Sequence, residues 1–177
     1  MNPDFSKNHF ELFGLPVGFS LDIAALDRTY RDVQREVHPD RFAAASDQEQ
    51  RLAAQWATQV NEAYRTLKAP LSRGRYLLKL AGIDTQEESN TAMPVDFLME
   101  QMTWREAVVE AKAAKDDCAL DDLAAQNRKA EKTLIELMEK QLSNKSSLSD
   151  AVVSVRKLRF LEKLGEEIEL ASESVNG

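Results

Sequence analysis

Apolar positions recur at helical spacing almost from end to end of this chain, and no stretch shows the strict alternation of a half-buried strand. Leu26, Tyr30, Val33 and Val37 fall at i, i+4, i+7 and i+11, one stripe of a helix spanning 20–37. Ser20 stands where an N-cap is expected, and Asp22 lies near the positive helix end. Ser46-Asp47-Gln48-Glu49 has the form of a capping box. It opens a helix over 47–68 whose apolar face is Leu52, Trp56, Val60, Ala63, Tyr64 and Leu67. The two helices are expected to pack antiparallel through these stripes. Phe10 and Phe13, from a short element that Gly14-Leu15-Pro16 breaks, fill one end. Pro70 stops the second long helix, and a shorter helix over 71–80 follows.

Residues 82–92 are polar apart from Ile83 and the terminal Gly82 and Ala92, a loop composition too long for a connection inside one compact domain. The pattern therefore predicts a first unit over 1–82, a linker over 83–93 and a second unit over 94–177. Three helices fill the second unit. Pro94 suits a first-turn position of the first, whose core stripe is Phe97, Trp104, Val108 and Ala111. The next helix, over 117–142, carries Leu120, Leu123, Asn127, Ala130, Leu134, Leu137 and Leu142 on or near one stripe. After a turn at 144–147, with Ser147 and Asp150 suggesting a cap, Leu148, Val152, Val155, Leu158, Leu161, Leu164 and Ile168 form the last seam. Short loops between such helices favour an antiparallel three-helix bundle, so the expected class is all-α.

Composition narrows the function. Of 177 residues 43% are hydrophobic and only six are Gly and five Pro, which suits a helical globular protein. No apolar run reaches the roughly 18 residues of a membrane span, and the first residues lack the basic and apolar regions of a signal peptide, so a cytoplasmic location is expected. Cys118 is the single cysteine, which excludes an internal disulfide and a Cys-based zinc site; a small buried or half-buried role is expected for it. Residues 1–82 hold eleven Lys/Arg against ten Asp/Glu, while 83–177 hold twelve against twenty. An acidic half of this kind argues against broad nucleic-acid binding, which needs clustered cations.

His38-Pro39-Asp40 lies between the two long helices. The residue before a proline is steered from helical dihedrals, so His38 closes the first helix and the tripeptide forms an exposed hairpin tip, where loop residues act on partners. Asp40 as a purely local turn-former is the plainer alternative. An acid–base pair of His38 and Asp40 would need a pocket and an orienting partner, and the sequence offers no further catalytic cluster; His9 is the only other histidine. Trp56 and Trp104 read as core residues.

The helix, His-Pro-Asp corner and helix together resemble the J-domain of DnaJ-type co-chaperones. Asn61 to Leu67, Pro70-Leu71-Ser72-Arg73, Tyr76-Leu77-Leu78, Phe97-Leu98-Met99-Glu100-Gln101 and Val155 to Leu161 narrow this to HscB-type co-chaperones of iron–sulfur assembly, in order along nearly the whole chain. The resemblance implies a J-domain with an added short helix followed by a scaffold-binding bundle. It implies binding of the iron–sulfur scaffold IscU, its delivery to the DnaK-type chaperone HscA and stimulation of that chaperone's ATP hydrolysis. No catalytic site, metal or cofactor of its own is expected, and a monomer is the simplest state. Carried over by position, His38, Pro39 and Asp40 activate the chaperone and Arg28, Arg31 and Arg35 steer it. Leu98, Met99, Met102, Glu106, Glu110 and Phe160 match the scaffold-binding positions.

Elementary geometry bears on that last set. At about 100° per residue, Leu98 and Met102 lie roughly 100–140° from the core stripe of their helix, and Met99 and Glu106 roughly opposite it. They can widen the core stripe, or they can form a second, exposed apolar face of the kind that marks a partner surface. Asp27, Asp32 and Glu36 dilute the arginine strip, and Thr103 stands where this face can carry another carboxylate. A generic client-binding J-protein would lack scaffold preference.

Overall fold

The computed structural model describes residues 4–37, 45–85 and 93–176. Seven α-helices occur among them: α1 His9–Leu12, α2 Ile23–Val37, α3 Asp47–Lys68, α4 Pro70–Leu80, α5 Val95–Ala114, α6 Asp117–Leu142 and α7 Leu148–Asn176. No strand is present among the described residues, and no helix is long and apolar enough to cross a membrane. The chain divides into two compact units, Met1–Leu77 and Leu78–Gly177. The division lies inside α4, a few residues ahead of the polar stretch over 83–93.

In the first unit α2 and α3 lie antiparallel, as the stripes predict. Phe10, Phe13, Leu26, Trp56, Val60, Ala63 and Leu67 form the core, with Tyr30 and Val33 half-buried against it. Leu52, placed on the core face by spacing, is exposed, and its neighbour Ala53 is the buried residue of that turn. Ser46 and Glu49 form the reciprocal capping box of α3. The cap of α2 is Asp22 rather than Ser20: its Oδ1 accepts from the Ala25 N–H at 3.0 Å and its carbonyl from Leu26, so the helix starts three residues later than expected. At α1, Gly14 takes a φ of 62°, where the Leu15 N–H can return to the Phe10 carbonyl at 2.9 Å. His9 stacks on Tyr76 with ring centroids 4.1 Å apart, and Tyr76 Oη accepts from the His9 backbone N–H.

A polar ladder ties α2 to α3. Tyr64 Oη donates to Asp27 Oδ1 at 2.8 Å, and Lys68 Nζ reaches the same oxygen at 3.2 Å. The Tyr64 ring stacks on Tyr30 at 3.9 Å, and Tyr30 Oη donates to Asn61 Oδ1. Asp27 is therefore drawn toward α3, with the Arg31 charge a smaller influence on it. The Tyr64 hydroxyl, and after it Lys68, hold the Asp27 carboxyl below its ordinary value.

The second unit is an up-down-up bundle. α5 and α7 run parallel, since Phe97 meets Phe160 and Arg105 meets Glu167, while α6 runs against both. Val108, Ala111, Leu120, Leu164, Ile168 and Ala171 form one core cluster. Pro94 is the residue before the first helical turn, not within it. The α5–α6 turn is only Lys115 and Asp116; Lys115 takes a left-handed φ of 55°, and Asp116 caps α6 by accepting from Ala119. At the next corner Asn144 accepts from Ser146 and leads into a 3₁₀ turn, Lys145–Ser147, in place of the expected Ser147–Asp150 cap. Met138 is fully buried and Leu137 exposed, the reverse of the expected stripe. Met138 lies five turns after Leu120 and so in phase with it, whereas Leu137 is about 100° out of phase. Cys118 is exposed, contrary to expectation: the first turn of α6 turns Ala119 and Leu120 toward the core and leaves Cys118 on its outer side.

Asn127 fixes the α6–α7 contact. Its Nδ2 donates to the Leu161 carbonyl at 3.1 Å and to Glu131 Oε1 at 3.0 Å. Gly165 makes room for it: a Cβ there would stand 3.1 Å from that nitrogen. Burial pushes the Glu131 carboxyl up, against the lowering effect of the Asn127 bond.

Two outcomes follow from these contacts. Gly165→Val should lower stability by about 1–3 kcal/mol through overpacking, read from the urea midpoint. The tie at Asp27 stabilises the fold above the carboxyl's unfolded pKa and is lost as pH falls through its lower folded pKa. The melting-temperature gap between wild type and Asp27→Asn should therefore shrink as the pH is taken from about 7 to about 3.

Candidate functional site

α5 has two different sides. Phe97, Gln101, Val108 and Ala111 are buried and Trp104 is half-buried, which is the core side. Gln101 was not foreseen there, since a polar residue breaks the apolar stripe; it lies in phase between Phe97 and Val108. On the opposite side Met99 and Met102 are 64% and 63% exposed, and Glu106 and Glu110 are exposed with them. Leu98 is half-buried at the edge facing α7. Phe160, also half-buried, comes from α7 and sets its ring edge-on to Phe97 with centroids 6.1 Å apart. Lys157 Nζ lies 5.1 Å from the Phe97 centroid, so Phe97 anchors both the core and the rim beneath Phe160. The six sequence-derived positions thus gather on α5 and the adjoining edge of α7, and none is fully buried.

That face can do one kind of work. Two exposed methionines supply adaptable apolar contact. Two carboxylates one turn apart favour a partner that carries cations. Val95 and Val109, 71% and 66% exposed, lie on the same face and were missed. They break no pattern in the sequence, because valine on a helix reads as core until the packing is known. A separate groove of about 440 Å³ lies on the α6 side of α5, floored by Phe97, Trp104, Leu134 and Leu161.

Arg28, Arg31 and Arg35 project from α2 into solvent. Each is held loosely by its own helix: Arg28 lies 4.0 Å from Asp22, Arg31 Nε donates to the Asp27 carbonyl, and Arg35 Nη1 lies 3.3 Å from Asp32. Exposed ties of this kind contribute about 0–1 kcal/mol, so a partner's carboxylate competes with them readily. His38, Pro39 and Asp40 lie outside the described residues. Among the described residues no three of His, Cys, Asp and Glu come together as a metal site.

Known proteins share the sequence and fold of this chain. Residues 93–169 match the family described as the HSCB C-terminal oligomerisation domain. A co-chaperone protein HscB homolog of Paraburkholderia phymatum is 52% identical over 92% of this chain and 93% of its own length. The chain belongs to the HscB co-chaperone family. An HscB homolog of Chromobacterium violaceum is 51% identical over 99% of both chains. Among solved structures, the chaperone HscB of Vibrio cholerae superposes with a TM-score of 0.86 at 38% identity, over 96% of this chain and 99% of its own. Human co-chaperone HscB superposes with a TM-score of 0.88 at 33% identity, over 95% and 83%. The all-α class is that of these HscB structures, and membership of the HscB family makes this chain a co-chaperone of iron–sulfur assembly.

The two sides of α5 should separate in stability. Met99→Ala with Met102→Ala should leave the urea-unfolding free energy within about 0.5 kcal/mol per site of wild type. Phe97→Ala should lose about 3–5 kcal/mol in the same measurement.

Proposed function

We propose that this HscB-family chain binds the iron–sulfur scaffold protein IscU, delivers it to the DnaK-type chaperone HscA and stimulates that chaperone's ATP hydrolysis. In this reading residues 1–82 act as the J-domain, 83–93 as linker and 94–177 as the scaffold-binding domain. His38, Pro39 and Asp40 activate the chaperone, with Arg28, Arg31 and Arg35 steering it. Leu98, Met99, Met102, Glu106, Glu110 and Phe160 hold the scaffold. The chain acts as a cytoplasmic monomer, regulates an ATPase without a catalytic site or cofactor of its own, and engages neither nucleic acid nor membrane.

One observation carries the scaffold half: α5 keeps an apolar face in water although its other face already completes the bundle. Such a face is a solubility liability unless a partner covers it. The steering half is supported by α2, whose arginines stay exposed while Asp27 is drawn to α3.

Purified protein should raise the ATPase rate of the cognate chaperone, and more so with scaffold present. His38→Gln should abolish the stimulation and leave scaffold binding intact; Leu98→Ala with Phe160→Ala should do the reverse. ATP turnover that stays at its basal rate under saturating co-chaperone would contradict the proposal.

A further inference from the structure

We propose that the scaffold-binding face runs the whole outward length of α5, with Val95 and Val109 as its two ends; this rests on the scaffold reading above. Val95, Met99, Met102, Glu106 and Val109 follow one another at spacings of four, three, four and three. On a helix they fall within about 80° of arc, centred opposite Phe97 and Val108. From first to last they span about 21 Å along the axis. Four of the five are apolar, and each of those four is more than 60% exposed. The six sequence-derived positions pass over both valines, although Val95 lies about a turn before Leu98 and Val109 between Glu106 and Glu110, and the core of the bundle is complete without them.

The flanks give the strip a direction. Asp96 and Glu110 border it on the side facing α6, at roughly 60–100° from its midline. Arg105 and Lys112 border it on the side facing α7, and Arg105 is already paired with Glu167 at 2.8 Å. The complementary scaffold surface is an apolar strip of similar length with Lys or Arg along one edge and opposite Glu106. A second copy of this chain is the poorer occupant. It would bring the same acidic half, twelve Lys/Arg against twenty Asp/Glu over residues 83–177, and set Glu106 among apolar or acidic neighbours.

Titration calorimetry of the full chain with purified scaffold protein tests this. Val95→Asp and Val109→Asp should each weaken binding by about ten-fold or more, with unchanged melting temperature. Val109→Gln, which keeps helix propensity, should weaken it in the same direction. Met99→Ala with Met102→Ala serves as reference. If the methionine pair weakens binding and neither valine position does, the longer strip is overturned while the scaffold site stands. If no variant weakens binding, the scaffold reading of α5 falls and the strip with it. If Val109→Asp instead turns a dimer into a monomer in sedimentation and leaves scaffold affinity intact, the face belongs to self-association and the proposal fails.

Discussion

A helix in a three-helix bundle has one side to bury, and α5 is apolar on two. The rest of the second unit follows from how that conflict is resolved. Phe97, Val108 and Ala111 go inward against α6 and α7, and Trp104 packs at their border. Met99, Met102, Val95 and Val109 are left in water. Burying an apolar side chain is worth about 1.5–3 kcal/mol, so four exposed ones constitute a reservoir of binding free energy that folding does not use. Phe160 shows the link between the two sides. Its ring rests edge-on against a core phenylalanine, so the rim of the exposed face is positioned by the same residue that anchors the interior.

The first unit solves a different problem with polar contacts. A two-helix hairpin has a narrow core, and α2 and α3 supplement it with the stacked Tyr30 and Tyr64 and with the Asp27, Lys68 and Asn61 bonds around them. These contacts fix the pairing of the helices at the end of the hairpin away from the segment that joins them, and they draw a carboxylate toward α3. The two units thus present different physical resources to solvent, charge on α2 of the first and apolar surface on α5 of the second.

Much of this could be read before any coordinates. The bounds of α3 and α6 followed from a capping box, a proline and a polar turn, which are local signals. The core sides of α5 and α7 followed from spacing. The errors have physical causes. Ser20 and Asp22 are both good caps, and which carboxylate or hydroxyl meets a free N–H depends on where the chain enters the helix. Leu137 and Met138 are adjacent and both apolar, and only phase over five turns separates them. Gln101 is a buried polar residue that breaks an apolar stripe and meets a neighbouring arginine, so spacing alone does not place it; spacing did put Asn127 on its stripe, but carries no sign of its bond to a carbonyl on another helix. The outward valines of α5 escaped for the opposite reason: nothing in an apolar residue's identity says that the core will be full without it.

The proposed scaffold-binding face is tested most directly by which methionine methyl groups respond to the scaffold protein. The sequence has five methionines, at 1, 93, 99, 102 and 138; Met99 and Met102 lie outside, and Met138 is fully enclosed. With methyl-labelled methionine, titration by the scaffold protein should shift and broaden the Met99 and Met102 resonances and leave Met138 in place. Unmoved Met99 and Met102 signals at saturating scaffold, or the same shifts produced by the chaperone alone, would contradict it.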